Sequence, residues 1–156
     1  MKKIPLDNSY PRIYANNGQH CEYIVGLNLS GVVKYADNKA YTNGGDVGGL
    51  QVKSYHATVC KGRDIRAHVA QDKATSYGYV VKDCSALYIM TPEEWVSFVD
   101  EFSALDHDST GARNCKTGLS MAGKYRSGKG GSNGGGEKLR LKRCEPKMIE
   151  WCEARL

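Results

Sequence analysis

An acid, an amide and a lysine are spaced so that they could hold a divalent cation against a phosphate. Asp46 lies in the glycine-rich stretch 44–49, and Gln51 and Lys53 follow it two residues apart. The alternation of apolar and polar residues from Leu50 to Lys53 predicts a strand. Residues at i and i+2 of a strand point to one face, so Gln51 and Lys53 project together, and the turn can bring Asp46 beside them. Because glycines flank the acid, a metal or a phosphate can come close. We therefore predict a metal and phosphate site here.

The elements that must position this site follow from periodicity and from turn signals. The sequence predicts an α/β (α+β) chain, with a central mixed sheet flanked by helices. Residues 1–16 are expected to form an irregular arm that Tyr10, Ile13 and Tyr14 pack onto the core. The predicted helices cover 17–30, 63–76, 92–102 and a terminal segment from Pro146; the predicted strands cover 32–36, 50–60, 78–81, 86–90 and 138–143.

The helix that begins after Thr91 has the clearest local signal. Thr91 is its predicted N-cap, Pro92 is its first residue, and Glu94 completes a capping box. Apolar residues follow at 95, 98, 99 and 102, the spacing of a core-facing helix. We therefore assign this aromatic face to the core and not to a ligand site.

Asp46 followed by Gln51-Val52-Lys53 resembles the metal site of the PD-(D/E)XK nuclease superfamily. In that superfamily, which includes restriction and homing endonucleases and resolvases, an acid in a turn precedes a strand carrying acid-x-lysine. The predicted α-β-β-β-α-β order over residues 17–102 is similar to its common, restriction-endonuclease-like core. Two features depart from the pattern: no proline precedes Asp46, and Gln51 stands where Glu or Asp is usual. Some members of the superfamily have Gln at this position.

The resemblance implies a metal-dependent DNA endonuclease that hydrolyses phosphodiester bonds with the sequence specificity of a restriction or homing enzyme. Asp46 would be the principal ligand of Mg²⁺ or Mn²⁺, with the Gln51 amide oxygen and the Val52 carbonyl as further ligands. Glu22, in the first predicted helix, would bind the ion directly or through water. Lys53 would orient or deprotonate the attacking water. A hard cation with oxygen ligands supplies both a hydroxide and charge stabilisation at the phosphate.

Simpler interpretations exist for each acid. Glu22 is also the kind of acid that stabilises the start of a helix through its dipole. Asp37 is a second candidate acid, although its Asp37-Asn38-Lys39 context is typical of a turn. Gln51 removes one anionic ligand, a loss of about 1.5–3 kcal/mol of metal affinity if it resembles the loss of a charge-assisted contact. We therefore expect activity to require a high concentration of Mg²⁺ or Mn²⁺.

A basic segment near the carboxyl end predicts a polyanionic partner, and double-stranded DNA fits it. The formal net charge is +5, and nearly every charged residue between Arg113 and Lys147 is basic. Much of this segment belongs to a glycine-rich loop at 104–136, which could instead be a solvated linker. The candidate DNA-binding residues are Arg113, Lys116, Lys124, Arg126, Lys129, Lys138, Arg140 and Lys142. Because cleavage of both strands usually takes two sites, we expect a homodimer or a larger symmetric assembly.

Length and composition set the remaining bounds. The 156 residues are most simply one domain, residues 1–156, with no membrane-length apolar run and no signal peptide. The expected location is therefore cytoplasmic, in a bacterial or phage-like setting, and the six cysteines are expected to be reduced. No CxxC pair supports a structural zinc site.

Two other classes of function use the same residues. The chain could be a catalytically inactive nuclease-fold module that binds nucleic acid or protein, with Gln51 marking the lost activity. It could also be an unrelated α/β interaction protein, in which Asp46 makes a turn and Lys53 is a surface residue. Plasmid cleavage in Mg²⁺ against EDTA separates the enzyme from the first, and the salt dependence of DNA binding separates both from the second.

Overall fold

A computed structural model describes residues 1–30, 47–60, 62–103 and 138–156 of the chain. The strands are β1 (Lys2–Pro5), β2 (Leu50–Ser54), β3 (Thr58–Cys60), β4 (Ser76–Val80), β5 (Ala86–Met90) and β6 (Lys138–Arg140). The α-helices are α1 (Asn17–Ser30), α2 (Gly62–Asp72), α3 (Pro92–Ser103) and α4 (Glu145–Glu153), and a 3₁₀ turn, Leu141–Arg143, precedes α4.

Four of the strands form a mixed sheet in the order β1-β5-β4-β2. β2 runs parallel to β4, whereas β5 is antiparallel to both β4 and β1. A parallel pair requires a crossover between its strands, and α2 lies in the connection from β2 to β4. The predicted mixed α+β architecture with flanking helices is therefore confirmed. β3 and β6 form a separate two-stranded ladder.

The two faces of the sheet belong to two apolar clusters. On one face, α1 packs Cys21, Ile24 and Val25 against Leu50 and Val52 of β2. On the other face, aromatic side chains of α3 pack on the tyrosines of β4. Trp95 stacks on Tyr77 with ring centroids 5.4 Å apart, and Phe98 lies 6.0 Å from Tyr79. The predicted core role of the α3 face is confirmed, since Trp95, Phe98, Val99 and Phe102 are all buried.

The predicted single strand over 50–60 is wrong. β2 ends at Ser54, the chain turns with Ala57 N–H donating to the Ser54 carbonyl at 2.9 Å, and β3 begins at Thr58. The physical reason is the length of the partner: β4 ends at Val80, so β2 has no ladder partner beyond this point, and β3 pairs with β6 instead. Val, Tyr and Thr favour strands equally on both sides of the turn.

The amino-terminal arm also differs from the prediction. Its residues 2–5 form the edge strand β1, which pairs with β5. An edge strand tolerates Lys and Pro because one side of its backbone needs no partner. The composition of residues 2–5 therefore does not predict a strand. Tyr10 and Ile13 are exposed, at 37% and 61%, and so do not pack the arm on the core, whereas the Tyr14 ring lies 5.7 Å from that of Tyr23.

One helix and one strand end earlier than predicted. α2 ends at Asp72 because Lys73 adopts a left-handed conformation, with φ 53°, which cannot continue a right-handed helix. The strand predicted over 138–143 ends at Arg140 and continues as the 3₁₀ turn. The predicted strand at 32–36 lies outside the described residues. No helix within the described ranges is long and apolar enough to cross a membrane.

Candidate functional site

A two-residue turn leads into the strand that carries the candidate site. Val47 and Leu50 exchange both backbone hydrogen bonds, each 3.0 Å from nitrogen to oxygen. Gly48 and Gly49 between them have φ values of 48° and 82°. Positive φ at both central positions is what a type I′ hairpin turn demands, and glycine adopts it without strain. Gly48 and Gly49 therefore have a structural role, which is to reverse the chain immediately before β2.

β2 sends its polar side chains to one face of the sheet, as the alternation predicts. Leu50, Val52 and Ser54 are buried, whereas Gln51 and Lys53 are half-buried. The apolar side chains meet α1, so Gln51 and Lys53 project from the opposite face. The shared face predicted for Gln51 and Lys53 is thereby observed. Among the described residues, β2 is the last strand of the sheet on this side.

Two tyrosines of β4 flank these side chains, and sequence reasoning did not single them out. The parallel register sets Tyr77 beside Gln51 and Tyr79 beside Lys53. Both tyrosines are buried, and their hydroxyls donate to carboxylates: Tyr77 to Asp72 at 2.8 Å and Tyr79 to Glu145. The i, i+2 spacing of the tyrosines predicts a shared face, but only the register of β4 against β2 reveals their neighbours.

Burial governs the electrostatics of these tyrosines. It raises the pKa of both hydroxyls well above the ordinary value, and the hydrogen-bonded carboxylate on each raises the pKa further. Both side chains are therefore neutral hydrogen-bond donors throughout the physiological pH range. Two uncharged side chains therefore lie beside Gln51 and Lys53, and Lys53 supplies the positive charge on this face of β2.

Glu22 lies on the other side of the sheet. It is half-buried on α1, whose neighbouring residues Cys21, Ile24 and Val25 cover the face formed by Leu50 and Val52. Glu22 therefore belongs to the helix on the face opposite to that of Gln51 and Lys53. Glu22 takes part in another interaction in the structure. Its role as a metal ligand stays a prediction.

Asp46 and most of the basic residues lie outside the described residues. The basic residues outside the described ranges are Arg113, Lys116, Lys124, Arg126 and Lys129. The alternative acid Asp37 and the loop at 104–136 also lie outside those ranges. Of the others, Lys138 and Arg140 belong to β6, Arg140 is half-buried, and Lys142 is exposed in the 3₁₀ turn. The predicted apolar side of this segment is confirmed, because Leu139 and Leu141 are fully buried.

The donor set that the structure describes fits a divalent cation in part. No group of three or more His, Cys, Asp or Glu that could hold a metal ion occurs among the described residues. Gln51 supplies a neutral amide oxygen, the kind of ligand that a hard cation accepts. A carboxylate must complete the set, and Asp46, adjacent in sequence to Val47, is the acid nearest to the turn.

Comparisons of the chain with protein-family models, with curated proteins and with solved structures found no match.

Proposed function

We propose that the protein is a metal-dependent endodeoxyribonuclease that hydrolyses phosphodiester bonds of double-stranded DNA. The observation that carries the proposal is the joint projection of Gln51 and Lys53 from one face of β2, directly after a glycine hairpin turn that follows Asp46. A neutral oxygen ligand and an ammonium group side by side suit a cation-bound phosphate. The resemblance to PD-(D/E)XK nucleases supports the same assignment.

The hairpin turn supports the inclusion of Asp46. In an antiparallel pair, directly opposed residues point to the same face of the sheet. Since Val47 opposes Leu50, the same pairing continued by one residue would oppose Asp46 to Gln51. The proposal requires this arrangement, because it gives the cation one anionic and one neutral oxygen ligand on the face that Lys53 shares.

The roles in the reaction follow from the chemistry of these groups. Mg²⁺ or Mn²⁺, when bound, supplies a hydroxide near neutral pH and stabilises charge on the phosphate. Asp46 and the Gln51 amide would hold the ion, with the Val52 carbonyl and Glu22 as further oxygen ligands. Lys53 would orient the attacking water and offset charge on the phosphate. The protein would act as a homodimer or a larger symmetric assembly, one site cutting each strand.

Plasmid cleavage in Mg²⁺ tests the proposal. We expect wild-type protein to cut supercoiled DNA in Mg²⁺ or Mn²⁺ but not in EDTA, and Asp46→Ala and Lys53→Ala to lose about 10²–10⁴-fold in rate. Gln51→Glu should retain cleavage and lower the Mg²⁺ concentration at half-maximal rate. Lys2→Ala, which removes an exposed lysine on the edge strand β1, is the matched control and should cut at the wild-type rate.

One outcome would contradict the proposed site and another the enzyme assignment. Cleavage by Asp46→Ala at the wild-type rate would exclude this site. DNA binding without cleavage at any concentration of either metal would favour the inactive nucleic-acid-binding module, for which Gln51 in place of an acid is the supporting observation.

A further inference from the structure

Two buried thiols from distant parts of the chain meet beneath α1. Cys21 lies in α1 and Cys84 lies in the turn between β4 and β5, and their Sγ atoms are 3.5 Å apart. Their side chains are 5% and 7% exposed and belong to the same apolar cluster. Neither is bonded to another cysteine in the structure. The pair is therefore a preformed contact between a helix and a turn that are 63 residues apart in sequence.

The backbone holds Cys84 in place against the helix. Its φ of 56° is left-handed, and its N–H donates to the Val81 carbonyl at 2.9 Å. The next residue, Ser85, donates its N–H to the Asp83 carboxylate at 3.0 Å, which closes the turn. A disulfide needs its sulfurs at about 2.05 Å, so roughly 1.5 Å of approach is required. Rotation about the side-chain torsions of the two cysteines can supply a movement of that size.

The two thiols differ in acidity. The hydrogen bond between the two thiols lowers the pKa of Cys84, whereas the same hydrogen bond, together with burial, raises the pKa of Cys21. Cys84 is therefore the member of the pair that provides a thiolate, the form that reacts with oxidants. Cys152, by contrast, is a buried thiol whose pKa burial raises to about 12.

We propose that Cys21 and Cys84 form a redox-modification site, which a small hydroperoxide such as hydrogen peroxide converts into a disulfide joining α1 to the β4–β5 turn. The Cys84 thiolate attacks one peroxide oxygen, the O–O bond breaks, and hydroxide leaves as the sulfenic acid forms. The Cys21 sulfur then attacks the Cys84 sulfur, the S–O bond breaks, and the Cys21 proton leaves with the hydroxyl as water. Both sulfurs are oxidised to a disulfide while one peroxide is reduced.

The cross-link has a measurable consequence for folding. It closes a long loop between the amino-terminal helix and the sheet, so it restricts the unfolded chain more than the folded one. For a chain of this size we expect the Tm of the oxidised protein to exceed that of the reduced protein by on the order of 10 °C. The inference is independent of the nuclease proposal, because no step of it uses Gln51, Lys53 or a metal.

Mass spectrometry of the folded full-length chain tests the site. After stoichiometric hydrogen peroxide, and before alkylation, we expect the intact mass to fall by about 2 Da, in keeping with the disulfide chemistry. Alkylation under denaturing conditions should then label four thiols in place of the six of the reduced chain. Proteolysis should yield one linked pair of peptides, containing Cys21 and Cys84, which dithiothreitol separates. Cys152→Ala removes another buried thiol and should form the same link, whereas Cys84→Ala should form none.

The proposal is overturned if the peroxide-treated wild-type protein keeps six alkylatable thiols, or if its linked peptides join other cysteines. It is also overturned if the Cys21–Cys84 link forms only when peroxide is added in urea, since the native contact would then play no part. These readings use the wild-type chain and do not depend on whether the variants fold.

Discussion

At the scale of single residues, Gly78 of β4 allows Leu87 and Leu50 to pack closely on the face of the sheet that α1 covers. A Cβ built at this position would lie 2.7 Å from Leu87 Cδ1 and 3.3 Å from Leu50 Cδ1. Leu87 is fully buried and Leu50 is nearly so, which leaves either side chain little room to move. The glycine therefore serves packing at the strand beside β2.

We expect Gly78→Ala to lower the free energy of unfolding by about 1–3 kcal/mol, the usual cost of overpacking. Urea unfolding followed by circular dichroism measures it. Leu87→Val shortens the contacting side chain and should by itself cost about 0.5–1.5 kcal/mol. If the Cβ–Leu87 contact is the cause, the double variant should be more stable than the sum of the single variants predicts, by at least about 0.5 kcal/mol. Additive losses would contradict this explanation.

Sequence reasoning at this scale found what depends on local alternation and missed what depends on register. The opposite faces of Leu50 and Gln51 follow from the period of a strand, and the structure confirms them. The tyrosines beside Gln51 and Lys53 belong to another strand, and their position is set by the pairing of β2 with β4. Pairing between distant segments leaves no local pattern in the sequence.

At the scale of elements, the start of α3 is where the sequence was most informative. Thr91 N–H donates to Glu94 Oε2 at 2.9 Å, and Glu94 N–H donates to Thr91 Oγ1 at 3.1 Å, so the predicted capping box is confirmed. Burial alone would raise the pKa of Glu94, but the hydrogen bond from Thr91 and the contact with the terminal ammonium outweigh it and lower the pKa. The stabilisation by this carboxylate is therefore present above the ordinary pKa of Glu and is lost as pH falls through the lowered value.

Replacement of the cap should cost a definite amount. We expect Thr91→Ala to destabilise the protein by about 0.5–2 kcal/mol at pH 7, because the Glu94 N–H loses its partner when the hydroxyl is removed. Thr91→Ser keeps the hydroxyl and is the matched control, with a change of a few tenths of a kcal/mol. Thermal unfolding at pH 7 measures both. An equal loss in the Ser and Ala variants would mean that the Thr methyl group, and not the hydrogen bond, stabilises α3.

Other elements escaped prediction because tertiary partners decided them. β1 is a strand because β5 offers it an edge, although Lys2, Lys3 and Pro5 give it no strand-like composition. The segment 50–60 is two strands because β4 is too short to pair with all of it. Caps and amphipathic faces can be predicted from neighbouring residues, whereas the ends of strands depend on pairing with distant segments.

At the scale of the whole molecule, α4 is tied to the sheet through tyrosine–glutamate pairs. Tyr79 donates to Glu145 at the start of α4, and Tyr88 donates to Glu153 at its end, at 2.6 Å. Lys3 of β1 also contacts Glu153, so the first strand and the last helix meet on one carboxylate. These contacts join the two ends of the described chain on a single sheet.

These pairs make stability sensitive to high pH. Because Tyr79 has a raised pKa in the folded state, its stabilising effect is complete below the ordinary tyrosine pKa of about 10 and is lost as pH rises above it. We expect this residue to account for about 1.4 kcal/mol of the loss of stability between pH 8 and pH 11. Urea unfolding of Tyr79→Phe should show a correspondingly smaller loss over that interval, whereas Tyr10→Phe, at an exposed tyrosine, should follow the wild type. Identical pH profiles for Tyr79→Phe and wild type would contradict the assignment.

At this scale, the salt dependence of DNA affinity tests whether the basic residues of the chain bind DNA as proposed. Each phosphate contact by Lys or Arg releases counterions, so the logarithm of DNA affinity should fall linearly with the logarithm of salt concentration. If the proposed residues between Arg113 and Lys142 all contact phosphates, the slope should approach about −7. Fluorescence anisotropy with a labelled duplex measures it, and Lys142→Gln, at an exposed lysine, should make the slope shallower by about 1 on every sequence tested. Lys2→Gln removes an equal charge from the edge strand β1 and should leave the slope unchanged, which separates a local phosphate contact from an effect of net charge. A slope near zero for the wild type would exclude DNA as the partner and leave the interaction-protein alternative standing.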